Sequence, residues 1–158
     1  MNAMDVLKYG NRTVLVSVEG LPQDDWLTPG VSGTWCVKDI IAHLASFELL
    51  LVDVLRSILH GADTPHLDLW LLSESFNDEQ VAARKAKSVA EVLDEYQQTH
   101  AQNMELIAQV PEETLRQDGI LPRYGREYDL DDFIVYSFYG HKREHTAQID
   151  AFRDRIKR

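Results

Sequence analysis

The sequence of 158 residues contains only one cysteine, Cys36, and no long uninterrupted apolar run. A single cysteine excludes a disulfide within the chain, and we expect Cys36 to be a small buried residue rather than a nucleophile. The longest apolar stretch, HLASFELLLVDVL, is interrupted by Glu48 and Asp53, so it is too short and too charged to span a bilayer. The first residues carry scattered charges and no cleavable apolar block, and we therefore expect a cytoplasmic protein.

The chain also has little positive charge, with 16 lysine and arginine residues against 26 aspartate and glutamate residues and a formal net charge of −10. It lacks a basic stripe and a basic amphipathic helix, and a strongly negative protein repels phosphate backbones. We therefore expect no nucleic-acid partner and no membrane partner. Glycine/serine linkers, internal repeats and low-complexity segments are absent from the sequence, and its length suits one domain over residues 1–158.

What the sequence does contain is helical periodicity along almost its whole length. This pattern predicts an all-α protein, a four-helix bundle, in which a long connection between helices two and three carries a short extra helix. We place that extra helix roughly at Trp70 to Ala86. The four long helices are predicted from Asn2 to Glu19, from about Cys36 to Leu59, along an apolar stripe from Val89 to Val110, and along a second stripe from Phe133 to Phe152.

Capping patterns support these helix ends. Ser88 and Glu91 form a capping box before helix three, because the hydroxyl and the carboxylate can each accept a bond from the other residue's backbone N–H. Asp129 can cap helix four, and Gly61 suits the position that follows helix two. Two tryptophans, Trp26 and Trp35, flank the loop after helix one, and we expect their side chains to pack this loop against the core.

Three histidines fall on the apolar stripes of these predicted helices. His43 lies between Ile40 and Phe47 on helix two, and His141 and His145 stand four residues apart on helix four. Residues i and i+4 share one face of a helix, so two imidazoles at this spacing can bind one metal. The spacing alone is weak support, because six histidines in a chain of this length give such a pair by chance about 0.2 times.

Three inward-facing imidazoles on two helices indicate a metal site more strongly than the His141/His145 pair alone. A buried polar group needs a partner, and helices that face each other in a bundle often build a metal site in its core. Imidazole ligands suit Zn, Ni, Fe or Cu rather than Mg or Ca. Three protein ligands also leave coordination positions open, which is typical of a catalytic metal. The residues that could act as a general acid or base remain unknown.

The other polar residues near the pair have simpler interpretations. Lys142 and Arg143 are predicted to face away from the stripe, and Glu144 is predicted to face solvent or a salt-bridge partner. The string HKREH matches the H-x-x-E-H pattern of inverzincin metalloproteases, but we reject that interpretation because Glu144 lies off the histidine stripe and such an enzyme needs a further ligand downstream.

The remaining three histidines are not assigned to the site. His60 ends a helix and is expected to be exposed, and His66 follows a proline in a predicted loop, where we expect solvent around it. His100 shares the inward stripe of helix three, so it can line the pocket or add a fourth ligand. A hydrogen-bonded histidine at the edge of the core is the better interpretation.

With these residues in view, the sequence resembles a known family. The strings GTWCVKDIIAHLASFE, FNDEQVAARKAKSVAEVLDEYQQTHAQNMELI and YGHKREHTAQI are similar to those of the DinB-like superfamily of four-helix metalloproteins. The middle string especially resembles the ClbS/DfsB group and the relatives of the metal-binding domain in mycothiol-dependent maleylpyruvate isomerases. The resemblance implies three metal ligands, which map onto His43, His141 and His145, and it implies divalent Ni or Zn at one end of the bundle.

The resemblance also implies a range of functions. Known members include thiol-dependent S-transferases, isomerases and resistance hydrolases, and many form dimers. We therefore expect a metal-dependent enzyme that acts on a small electrophilic molecule, with a low-molecular-weight thiol as a candidate co-substrate, and a homodimer. Two alternatives stay open: a non-enzymatic protein that sequesters a small molecule or a metal, and a helical interaction module whose histidines are only polar residues of the core.

Overall fold

The structure, a computed structural model, describes residues 2–157 of the chain. Helices joined by loops make up this part of the chain, and its β-structure is limited to one isolated bridge between Ser32 and Trp35. The helices are α1 (Ala3–Val18), α2 (Gln23–Trp26), α3 (Val37–His60), α4 (Pro65–Leu72), α5 (Phe76–Ala82), α6 (Val89–Ile107), α7 (Glu112–Leu115), α8 (Leu130–Ile134), a π-helical segment (Val135–Gly140) and α9 (His141–Ile156).

Four long units form a bundle, which confirms the predicted all-α class. These units are α1, α3, α6 and the helix that runs without interruption through α8, the π-helical segment and α9. The most extensive pairings are α3 with α6 and α1 with α9. Within residues 2–157, no helix is both long enough and apolar enough to cross a lipid bilayer.

The predicted caps hold the ends of these helices. The Ser88 hydroxyl accepts a bond from the Glu91 N–H at 3.1 Å, and the Glu91 carboxylate accepts one from the Ser88 N–H at 2.6 Å. Asp129 accepts a bond from the Asp132 N–H at 2.8 Å, which starts α8. Gly61 follows α3 with a φ of 64°, a left-handed conformation that glycine adopts without a steric penalty.

The connection between α3 and α6 differs from the prediction, because it carries two short helices instead of one at Trp70 to Ala86. Asp53, on α3, explains the early start of α4: its carboxylate accepts bonds from the backbone N–H groups of His66, at 2.6 Å, and Leu67, at 3.2 Å. His66 therefore lies half-buried in the first turn of a helix and not in a solvated loop as predicted. Asp53 itself is buried.

The core is divided into two apolar clusters along the length of the bundle. Each long unit contributes one stretch to each cluster, and a short stretch between the two belongs to neither. The first cluster contains residues 3–7 of α1, 50–55 of α3, 106–107 of α6 and 130–138 of the fourth unit. The second cluster contains residues 14–18, 37–45, 89–96 and 149–152 of the same four units. Among the polar residues between the clusters are Glu48, His100, Asn103, His141, Lys142 and His145, and we name these six residues the polar layer.

Candidate metal centre

Three histidine side chains meet at the edge of this polar layer. His43 projects from the second turn of α3, and His141 and His145 project from the first two turns of α9. The His141 Nε2 atom lies 2.8 Å from His43 Nε2 and 2.9 Å from His145 Nε2. His43 and His145 are buried, and His141 is half-buried. The structure thus brings together all three residues that the sequence singled out.

The chemistry of these nitrogens fits a cation better than it fits hydrogen bonding. The Nδ1 atom of His145 lies 2.9 Å from the Gln148 side-chain oxygen, which can only accept, so Nδ1 carries the proton of a neutral ring and Nε2 keeps its lone pair. His141 Nε2 has either one hydrogen or one lone pair, so it cannot form both of its short contacts as N–H···N bonds. A cation between the rings would satisfy all three lone pairs. These three residues could therefore hold a metal ion.

Burial keeps the imidazoles neutral, which is the form that binds metals. Desolvation lowers the pKa of His43 from 6.5 to about 3, and the charges that His141 and His145 would carry lower it further in the same direction. Burial likewise lowers the pKa of His141 to about 3, assisted by His145 and Lys142. Burial also lowers the pKa of His145, although its bond to Gln148 and the nearby Glu144 oppose the shift. At neutral pH all three rings offer lone pairs.

Two aromatic side chains enclose the histidines. The ring of Trp35 lies 5.1 Å from that of His43, and the ring of Phe47 lies 4.9 Å from His43 and 4.4 Å from His141. Trp35 is held in place by its backbone, because its carbonyl accepts bonds from the N–H groups of Gly30 and Val31. These rings restrict water around the imidazoles, which strengthens electrostatic interactions there.

A separate apolar cavity of about 390 Å³ lies farther along α3. Its walls include Val54 on α3, Trp70 on α4, and Tyr124 and Phe133 from the chain segment that leads into and through α8. None of the three histidines lines it. Phe47 stands between the two sites, since its ring is 6.2 Å from Trp70 on one side and contacts His141 on the other.

Comparison with known proteins identifies the family of the chain. A family model described as the DinB superfamily matches residues 8–149, which include all three histidines. The chain belongs to the DinB superfamily. No curated protein and no solved structure matches the chain.

In this DinB superfamily chain, one sequence-based prediction near the site was wrong. Lys142 does not face away from the core: it is only 2% exposed, and its ammonium group contacts the carboxylate of Glu48, which is completely buried on α3. A lysine next to a histidine stripe normally indicates a solvent-exposed face, so no local pattern in the sequence indicates this ion pair. Arg143 and Glu144 are exposed as predicted.

The other residues of this DinB superfamily chain that the sequence offered as ligands or as a nucleophile lie outside the histidine centre. His100 is buried in the polar layer, where its Nδ1 is 3.6 Å from the Glu48 carboxylate, and His60 is exposed as predicted. Cys36 is buried before the first residue of α3, and burial raises the pKa of its thiol, which disfavours a nucleophilic thiolate.

Gln148 was not identified from the sequence as a neighbour of the site. Its position three residues after His145, on the same face of the helix, could have indicated the contact.

Proposed function

We propose that this protein is a metal-dependent enzyme that acts on small electrophilic molecules, by thiol S-transfer or isomerisation or by hydrolysis. The observation that carries the proposal is the convergence of three neutral imidazole nitrogens, two of them on buried residues and one on a half-buried residue. His43, His141 and His145 would hold Ni or Zn, because three imidazoles suit Zn, Ni, Fe or Cu and the family resemblance favours Ni or Zn among these.

The histidines and their neighbours have distinct roles in this proposal. A divalent metal supplies Lewis acidity, which makes a water or a thiol easier to deprotonate at neutral pH. Gln148 fixes the ring of His145 so that its Nε2 faces the centre. Trp35 and Phe47 exclude water from one side, and the half-buried His141 marks the side that a substrate can reach.

The apolar cavity supports a particular class of substrate. Its volume of about 390 Å³ suits a small organic molecule, and its walls contain the rings of Trp70, Tyr124 and Phe133. We propose that an apolar or aromatic part of the substrate binds there, with its reactive group on the histidine side of Phe47. The resemblance to the ClbS/DfsB group and to relatives of thiol-dependent isomerases supports a low-molecular-weight thiol as co-substrate.

A second candidate function is sequestration of a small molecule or a metal without turnover. The side chains in ring contact with the histidines are Trp35 and Phe47, and neither can accept or donate a proton in catalysis. A site built for binding alone needs no such group, so this feature favours sequestration as the alternative.

Metal analysis tests the site itself. Untagged protein reconstituted with Zn or Ni and then desalted should retain about one metal ion per chain. His43→Ala, His141→Ala and His145→Ala should each lose most of the metal, whereas His66→Ala and Glu144→Ala should retain it. Substoichiometric metal in the wild-type protein under all conditions would refute the site.

Turnover separates the two candidate functions. The metal-loaded protein is assayed with a panel of electrophiles in the presence of glutathione, mycothiol or bacillithiol, and without thiol to detect hydrolysis. Metal-dependent turnover that is reduced by His141→Ala and by the cavity-filling Val54→Phe supports the enzyme. Tight ligand binding without turnover across the panel supports sequestration.

We further propose that residues 1–158 form one domain that works as a homodimer in the cytoplasm. A single family match over residues 8–149 and the shared polar layer support one domain. Exposed leucines on α4 support self-association, since Leu69 is 50% exposed and Leu72 is 85% exposed.

A further inference from the structure

A buried ion pair joins α3 to α9 beside the histidine centre. The Glu48 side chain is 0% exposed and the Lys142 side chain is 3% exposed, and the ammonium group is in direct contact with the carboxylate. Burial opposes ionisation of Glu48, but the charge of Lys142 and the nearby His100 outweigh it and lower the pKa of Glu48 to about 2. The Glu48 carboxylate is therefore ionised inside the core, in contact with the Lys142 ammonium group.

Contacts from the other helices fix both members of the pair. The Asn103 amide on α6 donates to the Glu48 carboxylate at 2.8 Å and to the Glu48 backbone carbonyl at 2.9 Å. The Lys142 ammonium lies 5.7 Å from the centre of the Tyr96 ring, also on α6. On α1, a methyl group at Gly10 would lie 3.4 Å from the Lys142 Cδ atom and 3.3 Å from the Tyr139 ring. The glycine thus leaves room for the lysine stem.

Stability alone does not explain this arrangement. Removing a carboxylate and an ammonium from water costs free energy that their attraction often fails to return, and apolar residues of similar size often give an equally stable protein. Gly10 adds a further cost, because glycine disfavours the interior of a helix. What a buried pair can supply instead is one specific arrangement of the helices that carry it.

The pair lies next to the metal-ligand candidates along α9. Lys142 immediately follows His141 and precedes His145 by three residues, so aiming the Lys142 side chain at Glu48 fixes the rotation of α9 about its axis. Neighbouring residues on an α-helix are separated by about 100°, so a modest rotation would move both imidazoles away from His43. The π-helical segment ends at Gly140, directly before these residues.

We propose that the buried Glu48–Lys142 pair is a positioning device that holds His141 and His145 against His43 at the separation a shared metal requires. This inference rests on the metal site of the proposed function. Glu48 and Lys142 are positioning residues. They lie on the two helices that carry the histidines, α3 and α9, and they do not contact the point where the three Nε2 atoms meet.

The test replaces the charges with neutral side chains of similar shape, in the double variant Glu48→Gln/Lys142→Met. Zn affinity is measured by competition with a chelator, and ring contacts in the metal-free protein are measured as nuclear Overhauser effects between the His43 and His141 ring protons. We expect a 10- to 100-fold weaker Zn affinity, the range seen when supporting residues around metal ligands are removed, and loss of the ring contact. The metal-free unfolding midpoint should stay close to that of the wild type.

A second ion pair in the same protein provides the matched control. Arg84 and Glu95 are 2.7 Å apart and mostly buried, but they lie away from the histidines. Arg84→Met/Glu95→Gln should leave both the Zn affinity and the ring contact unchanged, even if the protein becomes less stable. If the Glu48/Lys142 double variant does not fold, Glu48→Gln alone, which retains the acceptor for Asn103, is measured in the same way.

Unchanged Zn affinity together with an intact ring contact in a folded Glu48 variant would overturn the positioning role. A wild-type protein that binds no Zn would instead refute the proposed function. The ring contact in metal-free protein would still decide whether the pair positions His141, so the two failures are distinguishable.

Discussion

Gln148 shows how one uncharged residue can determine which nitrogen of a histidine is available. Its side-chain oxygen accepts from Nδ1 of His145, so the lone pair of that ring lies on Nε2 and faces His141. The ring of His43 differs, because its Nδ1 is buried without a hydrogen-bond partner among residues 2–157. The tautomer and orientation of His145 are therefore set by the protein, and those of His43 depend on its packing against Trp35 and Phe47.

Replacing Gln148 should weaken metal binding without unfolding the protein. Gln148→Ala removes the acceptor for the His145 N–H, so the ring can rotate and exchange tautomers, and we expect a 10- to 100-fold weaker Zn affinity. Chelator competition measures this change. Gln97→Ala, on the exposed side of α6, is the control and should bind Zn like the wild type. Equal affinities for the two variants would show that Gln148 has no supporting role.

The metal-free protein should lose stability as the pH falls below about 6.5. The unfolded chain binds protons at His43 and His141 near pH 6.5, whereas the folded chain resists protonation down to about pH 3. Protons therefore favour the unfolded state throughout that interval. Glu48 adds to the loss only below about pH 4.5, because its pKa is about 2 in the folded protein and 4.5 in the unfolded chain.

Urea unfolding of chelator-treated protein at several pH values between 7 and 4.5 measures this dependence. In His43→Ala one of the depressed histidines is missing, so the free energy of unfolding should fall less steeply with decreasing pH. A flat stability profile for the wild type over this interval would contradict the burial of neutral imidazoles.

The clustering of the three histidines could be predicted from the sequence. Each lies on an apolar stripe, and a buried imidazole without a partner there is unfavourable. The role of Lys142 could not be predicted, since its partner Glu48 lies on another helix far along the chain. A lysine that follows an inward-facing histidine is usually solvated, and only the folded arrangement shows the carboxylate that receives it.

At the scale of helices, the π-helical segment is the least regular part of the bundle. It spans Val135–Gly140 and joins α8 to α9 without a break. A π-helix closes i→i+5 bonds, so it accommodates an additional residue relative to an α-helix. The sequence predicted one continuous α-helix here, because the apolar residues before and after the segment stay on the inward side. The hydrogen-bond pattern that distinguishes the two helix types leaves no clear mark on such a stripe.

Adding one residue to this segment should separate the ligands. Tyr136 is 65% exposed, so an alanine inserted after it meets little packing, and the π-helical turn already accommodates one additional residue. The rotation of α9 relative to α8 would change by about 100°, which turns His141 and His145 away from His43. We expect loss of stoichiometric Zn binding with helical circular dichroism largely retained.

Tyr136→Ala is the matched variant, because it changes the same place in the segment and keeps the number of residues. It should bind Zn like the wild type. If the insertion variant also binds one Zn per chain, then the length of the π-helical segment does not set the position of the histidines.

At the scale of the whole molecule, charge and exposed apolar surface act against each other. The net charge of −10 makes two copies repel, whereas Leu69 and Leu72 on α4 present apolar surface that favours association. Which of the two dominates depends on ionic strength, because salt screens the repulsion and leaves apolar contacts intact. The helical bundle could be predicted from the four apolar stripes in the sequence. The balance between charge repulsion and apolar association could not be predicted, because the exposure of the α4 leucines depends on how that helix packs.

We expect a homodimer whose dissociation constant falls as salt is raised from 20 to about 150 mM, near the physiological range. Light scattering at micromolar concentration gives the mass under each condition. Leu72→Asp adds charge to the exposed face of α4 and should yield a monomer, whereas Leu27→Asp, at a residue 51% exposed on the loop after α2, should not. A wild-type monomer at every salt concentration would refute the proposal.

The division of the core into two apolar clusters also determines where the sequence is free to change. Apolar residues of similar volume can replace one another within either cluster at little cost, because burial does not depend on a unique partner. The polar layer has no such freedom, since Glu48, Asn103 and Lys142 each depend on a particular atom of another helix. A saturation mutagenesis experiment should therefore show a band of intolerant positions across the middle of the bundle, with tolerant sequence on both sides of it.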